Sequence, residues 1–177
     1  MTELAGRAEL SRRMSLREQI AQLVFVRIGS NMPPVRTVEQ DAERIARLLE
    51  TCPVGGLELF NGRPETKETL ERLQAISRVP LLVGSDIERG VGQQVRGYPL
   101  YPHARAFDAL GSDAAAAVAE FARSIANDAR DVGIHIAFAP VADVNTNPRN
   151  PIINTRAYSE NIARAAELTR AYVVAAE

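Results

Sequence analysis

With 177 residues, of which 46% are hydrophobic, the chain has room for one domain with a sizeable core. Its formal net charge of -1 provides no electrostatic footprint for nucleic acid or an anionic membrane. Residues 1–14 are polar and charged, without the apolar core of a secretory signal, and no apolar run approaches the roughly 20 residues of a membrane span, so a cytoplasmic protein is expected.

Ser15 and Glu18 form a capping-box pair, and Leu16, Ile20 and Leu23 follow at i, i+4 and i+7, which predicts a short opening helix. The apolar run Leu23 to Ile28 reads as strand one, with Arg27 near its end, before Gly29-Ser30-Asn31 and Pro33-Pro34 break regular structure. Thr37 and Gln40 cap a second helix whose stripe is Ala42, Ile45, Leu48, Leu49 and Cys52, stopped by Pro53. The only cysteine, Cys52, excludes an intrachain disulfide and is expected to be buried. Val54 to Phe60 is strand two, ending at Asn61-Gly62, and Pro64 opens a helix carried by Leu70, Leu73 and Ile76.

Strand three, Leu81-Leu82-Val83, stops at Gly84-Ser85 and delivers Asp86 and Glu88 into a glycine-rich loop. After Gly97, Pro99 and Pro102, Ser112-Asp113 is expected to cap a long helix with Val118, Phe121, Ala122, Ile125, Ala129 and Val132 on one face and Gly133 at its end. Glu120, Arg123, Asp128 and Arg130 read as its solvated side. Ile134 to Val141 is strand four, followed by Ala142-Asp143, and Ser159 is expected to cap a last helix with Ile162, Ala165, Ala166, Thr169 and Val173 inward. An opening helix followed by four βα units, with connections long enough for right-handed crossovers, predicts an α/β fold with a parallel sheet. The strands end in Arg27, Asn61, Asp86 and Asp143, and the C-terminal edge of such a sheet or barrel is where chemistry sits.

Asp86 and Glu88, two apart, share a side if the strand continues through them. They read either as a turn residue and a solvated neighbour, or as carboxylates that accept hydrogen bonds from a polar ligand such as a sugar. Gly90-Val91-Gly92 supplies two of the three glycines of a dinucleotide fingerprint without an amphipathic helix opening at the second, so a tight backbone turn is the simpler reading and a nucleotide-binding domain the competing one. Asn147-Pro148-Arg149-Asn150-Pro151 restricts its own backbone strongly, and Arg156 then offers a planar fork for hydroxyls or an ion-pair partner for Asp143. His135 reads as a core or barrel-interior histidine, and His103, in a proline-rich loop, is placed to approach a site but has no base or orienting carboxylate beside it; the two are too far apart for metal-ligand spacing, so no metal is expected.

Gly84-Ser85-Asp86-Ile87-Glu88-Arg89-Gly90, Tyr101-Pro102, Asp131-Val132-Gly133-Ile134, Phe138-Ala139-Pro140-Val141-Ala142-Asp143-Val144, the Asn-Pro loop and Arg156-Ala157-Tyr158 occur in one order. The ordered set resembles the N-terminal barrel of glycoside hydrolase family 3, from about Ser15 to the end of the chain. The resemblance implies the first four βα units of a (β/α)8 TIM-type barrel over residues 15–177, a half barrel, in a retaining β-glycosidase that uses no cofactor. It implies that Asp86 accepts bonds from the hydroxyls of a terminal sugar and that Arg156 clamps the same sugar, with Asp143 and Glu88 in support. The Asn-Pro-Arg-Asn-Pro loop is more similar to the β-N-acetylhexosaminidase branch than to the β-glucosidase branch.

Two departures qualify the match. Arg89 interrupts the family's paired glycines, and Gln94 stands where a sugar-binding arginine is usual, so Arg96 is the expected substitute. The family's Lys-His loop and late nucleophilic aspartate have no counterpart before Glu177, so no catalytic residue is expected in this chain. The expectation is a fragment that supplies the sugar-binding half of the barrel, its other half lying in the same polypeptide or in a partner chain. The alternatives are a non-catalytic sugar-binding half barrel and a β-glucosidase fragment.

Overall fold

The computed structural model describes residues 12–177; most of the expected extension 1–14 lies outside the described residues. The chain divides into two compact units, Met1–Gly84 and Ser85–Glu177.

In the first unit, Ser15 caps α1 (Leu16–Ala21) through both bonds of a capping box, its hydroxyl accepting from the Glu18 N–H and the Glu18 carboxylate from the Ser15 N–H. The face formed by Leu16, Ile20 and Leu23 is uncovered, these residues being 72%, 55% and 85% exposed. β1 (Phe25–Ile28) begins later than expected because the N–H groups of Leu23 and Val24 still bond to the carbonyls of Ile20 and Ala21, which extends the helical turn.

The second capping box, Thr37 with Gln40, opens α2 (Val38–Thr51), which buries Ala42, Ile45, Ala46 and Leu49. Cys52 is its C-cap and is half-buried rather than buried. β2 (Gly56–Leu59) runs parallel to β1, from Phe25 opposite Gly56 to Ile28 opposite Leu59. After α3 (Thr66–Ile76), β3 (Leu82–Ser85) pairs parallel to β2 with Leu82 opposite Gly56. Ile28, Ile45, Leu49, Leu57, Leu59 and Leu73 are almost fully buried, and each stabilises the unit by about 1.5–3 kcal/mol.

In the second unit, a short α4 (Arg105–Asp108) precedes α5 (Ala114–Val132), which buries all six residues of the expected stripe. Asp113 sits at the N-cap with helical backbone and no side-chain cap, because a 3₁₀ turn, Gly111–Asp113, already leads into the helix. Asp128 is not on a wholly solvated face: it is half-buried, its Oδ2 is buried without a hydrogen-bond partner among the described residues, and burial first and Asp131 second push its pKa up.

β4 is only Ile136–Ala137. The Phe138 N–H donates to the carbonyl of Ser85, the last residue of β3, at 3.0 Å, and Pro140, which has no N–H, cannot extend the ladder. His135, expected in the core or the barrel interior, is exposed and so not in the core. α6 (Ile162–Ala176) is capped by Asn161, not by Ser159, whose buried hydroxyl donates to Asp108 at 2.9 Å instead. The inward face of α6 is Ala165, Leu168 and Tyr172, while Ile162 and Val173 are exposed. Tyr172 meets Phe121 of α5 edge-on at 5.9 Å, and Tyr101, Phe107 and Tyr158 extend this aromatic cluster.

Candidate sugar-binding site

The site residues lie in the second unit, where β3 hands over to its loop. Ile87 is fully buried, and this fixes Asp86 and Glu88 on either side of it. Both are partly exposed. The backbone of this loop is tight: the Asp86 carbonyl accepts from Gln94 Nε2 at 3.2 Å, and a Cβ at Gly92 would lie 2.4 Å from the Tyr98 carbonyl oxygen. Val91–Gln93 is a single 3₁₀ turn, so no helix opens here to receive a pyrophosphate. Arg89 is spent on structure; its Nε donates to the Tyr101 carbonyl at 2.9 Å and its own carbonyl accepts from the Tyr101 N–H at 2.8 Å.

Arg156 reaches this loop from a segment built by its asparagines. Asn147 Oδ1 accepts from the Arg149 N–H, and Asn150 Oδ1 from the N–H of Ile152 at 2.9 Å, turning the chain into the 3₁₀ helix Asn154–Arg156. The Arg156 guanidinium then grips Glu88 with two bonds, Nε to Oε2 at 2.9 Å and Nη2 to Oε1 at 2.6 Å, while Nη1 donates to the Ile152 carbonyl at 3.2 Å. The Glu88 side chain is 17% exposed and that of Arg156 37%. Hydrogen bonding to Glu88 above all, joined by the field of Asp86, pushes the Arg156 pKa up, so it stays a cation. The Asp86 carboxylate makes no hydrogen bond among the described residues.

Arg156 therefore pairs with Glu88 and not with Asp143. Asp143 is exposed and accepts from the next residue's N–H, Val144, at 2.7 Å. Arg96 is exposed, with no hydrogen bond or ion pair among the described residues, and Gln94, at the position where the family resemblance leads one to look for arginine, is buried under Asp86. Glu88, Arg89, His103, Pro140, Val141 and Arg156 line one small cleft. His103, which the sequence placed near a site without assigning it a role, is part of this lining, brought there by the Tyr101 loop that Arg89 staples to the loop after β3. Among the described residues no group of three or more His, Cys, Asp or Glu could hold a metal ion, and no helix is long and apolar enough to cross a membrane.

A carboxylate with open acceptor sites beside a fixed guanidinium is suited to a polyhydroxylated ligand. Residues 15–177 match the family model for the glycosyl hydrolase family 3 N-terminal domain. The chain belongs to glycosyl hydrolase family 3. It is 34% identical to a β-N-acetylglucosaminidase/β-glucosidase of Cellulomonas fimi over 78% of its own length and 24% of that protein's. It is 33% identical to a β-hexosaminidase of Xanthomonas campestris pv. campestris (strain B100), over 72% of this chain and 40% of that one. A solved structure, the family 3 β-N-acetylglucosaminidase of Paenibacillus sp. str. FPU-7, superposes with a TM-score of 0.75 at 28% identity, covering 92% of this chain and 31% of that one. The family 3 fold accounts for the four parallel βα units as part of a TIM-like barrel, and it displaces the nucleotide-binding reading. The chain spans well under half the length of these relatives.

Proposed function

We propose that the chain is the sugar-gripping part of a retaining β-glycosidase that removes a terminal β-linked N-acetylhexosamine from an oligosaccharide or glycoside. The observation that carries this reading is the Asp86 carboxylate, without a hydrogen bond among the described residues, whose field reaches the Glu88-bound Arg156, in a family 3 chain. In this reading Asp86 accepts hydrogen bonds from two hydroxyls of the sugar and Arg156 donates to its far side. A carboxylate so placed holds the ring; it does not attack the anomeric carbon. Asp143, turned to its own backbone, supports the strand-four loop, and Arg96 contributes only if the ligand itself orders it.

The proposed domain is 15–177, with 1–14 as an extension. Its chemistry is completed elsewhere, because a retaining glycosidase needs a nucleophile and an acid/base across the scissile bond, two carboxyl groups about 5 to 5.5 Å apart in the usual case. Those groups belong to the rest of the barrel, in the same polypeptide or in a partner chain. The names of the relatives, β-N-acetylglucosaminidase/β-glucosidase and β-hexosaminidase, share the N-acetylhexosamine and support that preference, and the first also names the β-glucosidase alternative.

The test is binding of N-acetylglucosamine and of glucose to the chain by saturation-transfer NMR, with Asp86→Ala as the control. Selective N-acetylglucosamine binding that disappears in the variant is expected. Equal binding by both proteins would sink the assignment of Asp86, and preference for glucose would move the proposal to the β-glucosidase branch.

A further inference from the structure

We infer that Glu88 is a positioning residue: it fixes the plane of the Arg156 guanidinium by taking its side-on fork, so that two N–H groups remain to grip one sugar. The inference deepens the sugar-binding reading and rests on it.

A guanidinium has five N–H donors in one plane. Glu88 takes one on Nε and one on Nη2, and the Ile152 carbonyl takes one on Nη1. Two donors are left, one on each terminal nitrogen, in the plane that Glu88 sets. A planar pair of donors suits two acceptors on one ligand face, such as neighbouring hydroxyls, and suits a single point acceptor less well. Glu88 can impose that plane because its own position is not adjustable. It follows the fully buried Ile87, and its side chain is mostly covered.

Arg156 alone has several rotatable bonds and would lose that freedom on binding sugar. Held by two bonds to Glu88 and one to Ile152, it has lost it already, and binding costs correspondingly less. The Arg156 held by Glu88 lies within the field of the Asp86 carboxylate. Each Glu88 oxygen accepts one bond from Arg156 and keeps a second acceptor site, so a direct contact with the sugar and an effect through the arginine differ in one respect: only the second disappears when Arg156 is removed.

The experiment has two readouts on the chain as it stands. The first needs no ligand: the Arg156 Nε–H resonance, assigned with Arg156→Lys, compared between the unsubstituted protein and Glu88→Gln. A slowly exchanging, displaced resonance that collapses to the free-arginine position in Glu88→Gln is expected. The second is N-acetylglucosamine affinity in a double-mutant cycle. Glu88→Gln should weaken binding on the order of tenfold, the loss typical of disturbing one charge-assisted hydrogen bond. Glu88→Asp should recover part of it, and Glu88→Gln should add nothing in an Arg156→Ala background.

An unchanged resonance in Glu88→Gln would overturn the inference whatever the sugar does. Additive losses in the cycle would overturn it as well, because Glu88 would then touch the sugar itself. A lower melting temperature with unchanged affinity would reduce the pair to a structural tie and overturn positioning. If the resonance collapses as expected while the unsubstituted protein binds neither sugar, the orienting role is supported and it is the sugar reading that fails.

Discussion

Replacing Asp41 by asparagine tests whether buried charge, rather than shape, holds the loop after β1. The Asp41 side chain is 5% exposed and accepts from the Gly29 N–H at 3.2 Å and from Arg44 Nε and Nη2 at 2.7 Å each, with Arg36 at 3.7 Å. Asp41→Asn keeps the outline but sets an N–H₂ against at least one N–H donor. A hydrogen bond to a charged group is worth about 1.5–3 kcal/mol, but Arg44 and Arg36 are 46% and 51% exposed, so solvent screening reduces their share to about 1 kcal/mol. A weakened bond to the buried Gly29 N–H adds about 1–2 kcal/mol. The expected loss is about 2–3 kcal/mol, or roughly 4–12 °C in melting temperature for a chain of this length.

The assay is urea unfolding followed by circular dichroism, with hydrogen exchange at the Gly29 amide to localise the loss. Hydrogen bonding to Arg44, above all, holds the Asp41 pKa below its ordinary 3.8. Its contribution is therefore complete above about pH 4 and fades as pH falls through the lower, folded value, so the gap between the two proteins should close on acidification. A gap under about 0.5 kcal/mol at pH 7, or one that persists undiminished well below pH 4, would refute the argument.

Three further outcomes follow from the packing. Gly29→Ala should cost about 2–4 kcal/mol, because φ is +73° and a Cβ there would lie 1.9 Å from the Phe60 carbonyl oxygen; urea midpoints near those of the unsubstituted protein would contradict it. Thr37→Ala should cost about 1 kcal/mol and Asp113→Ala about nothing, since only Thr37 makes its cap bond, and equal melting temperatures for the two variants would show the cap to be idle. Burial pushes the Tyr172 pKa up to about 12, and its hydroxyl has no hydrogen-bond partner among the described residues. Because the unfolded state ionises first, near the ordinary 10, stability should hold below pH 10 and fall between about 10 and 12. Tyr172→Phe should lessen that alkaline loss and leave neutral-pH stability equal or up to about 1 kcal/mol higher, which pH-dependent melting would check.

What was legible in the sequence was what neighbours along the chain decide. Ser15 with Glu18 and Thr37 with Gln40 are three apart, so their bonds needed no knowledge of the fold, and the stripe on α5 is set by helical period alone. The inward face of α6 was read wrongly because its alanines give little polarity contrast. The choice fell to Tyr172, whose partner Phe121 lies 51 positions earlier. Strand four was read long from its β-branched and apolar residues, but a strand needs a ladder, and Pro140 cannot supply it. At the site, Asp86 and Arg156 were named from motif position, yet the partner of Arg156 was not. Glu88 and Asp143 both offer a carboxylate, and only the buried Ile87 and the turns at Asn147 and Asn150 decide between them.

The Glu88–Arg156 bond joins residues 68 positions apart, and this dates the site within the life of the molecule. A chain made at about 5–20 residues per second incorporates the carboxylate roughly 3–14 seconds before its arginine has been synthesised. During that interval the loop after β3 carries Asp86 and Glu88 without the guanidinium that grips Glu88. The sugar grip we propose for this site is then not acquired gradually by the nascent chain. It switches on late, when the last 3₁₀ turn before α6 closes, and a ribosome-bound chain arrested ahead of Arg156 should be blind to the ligand.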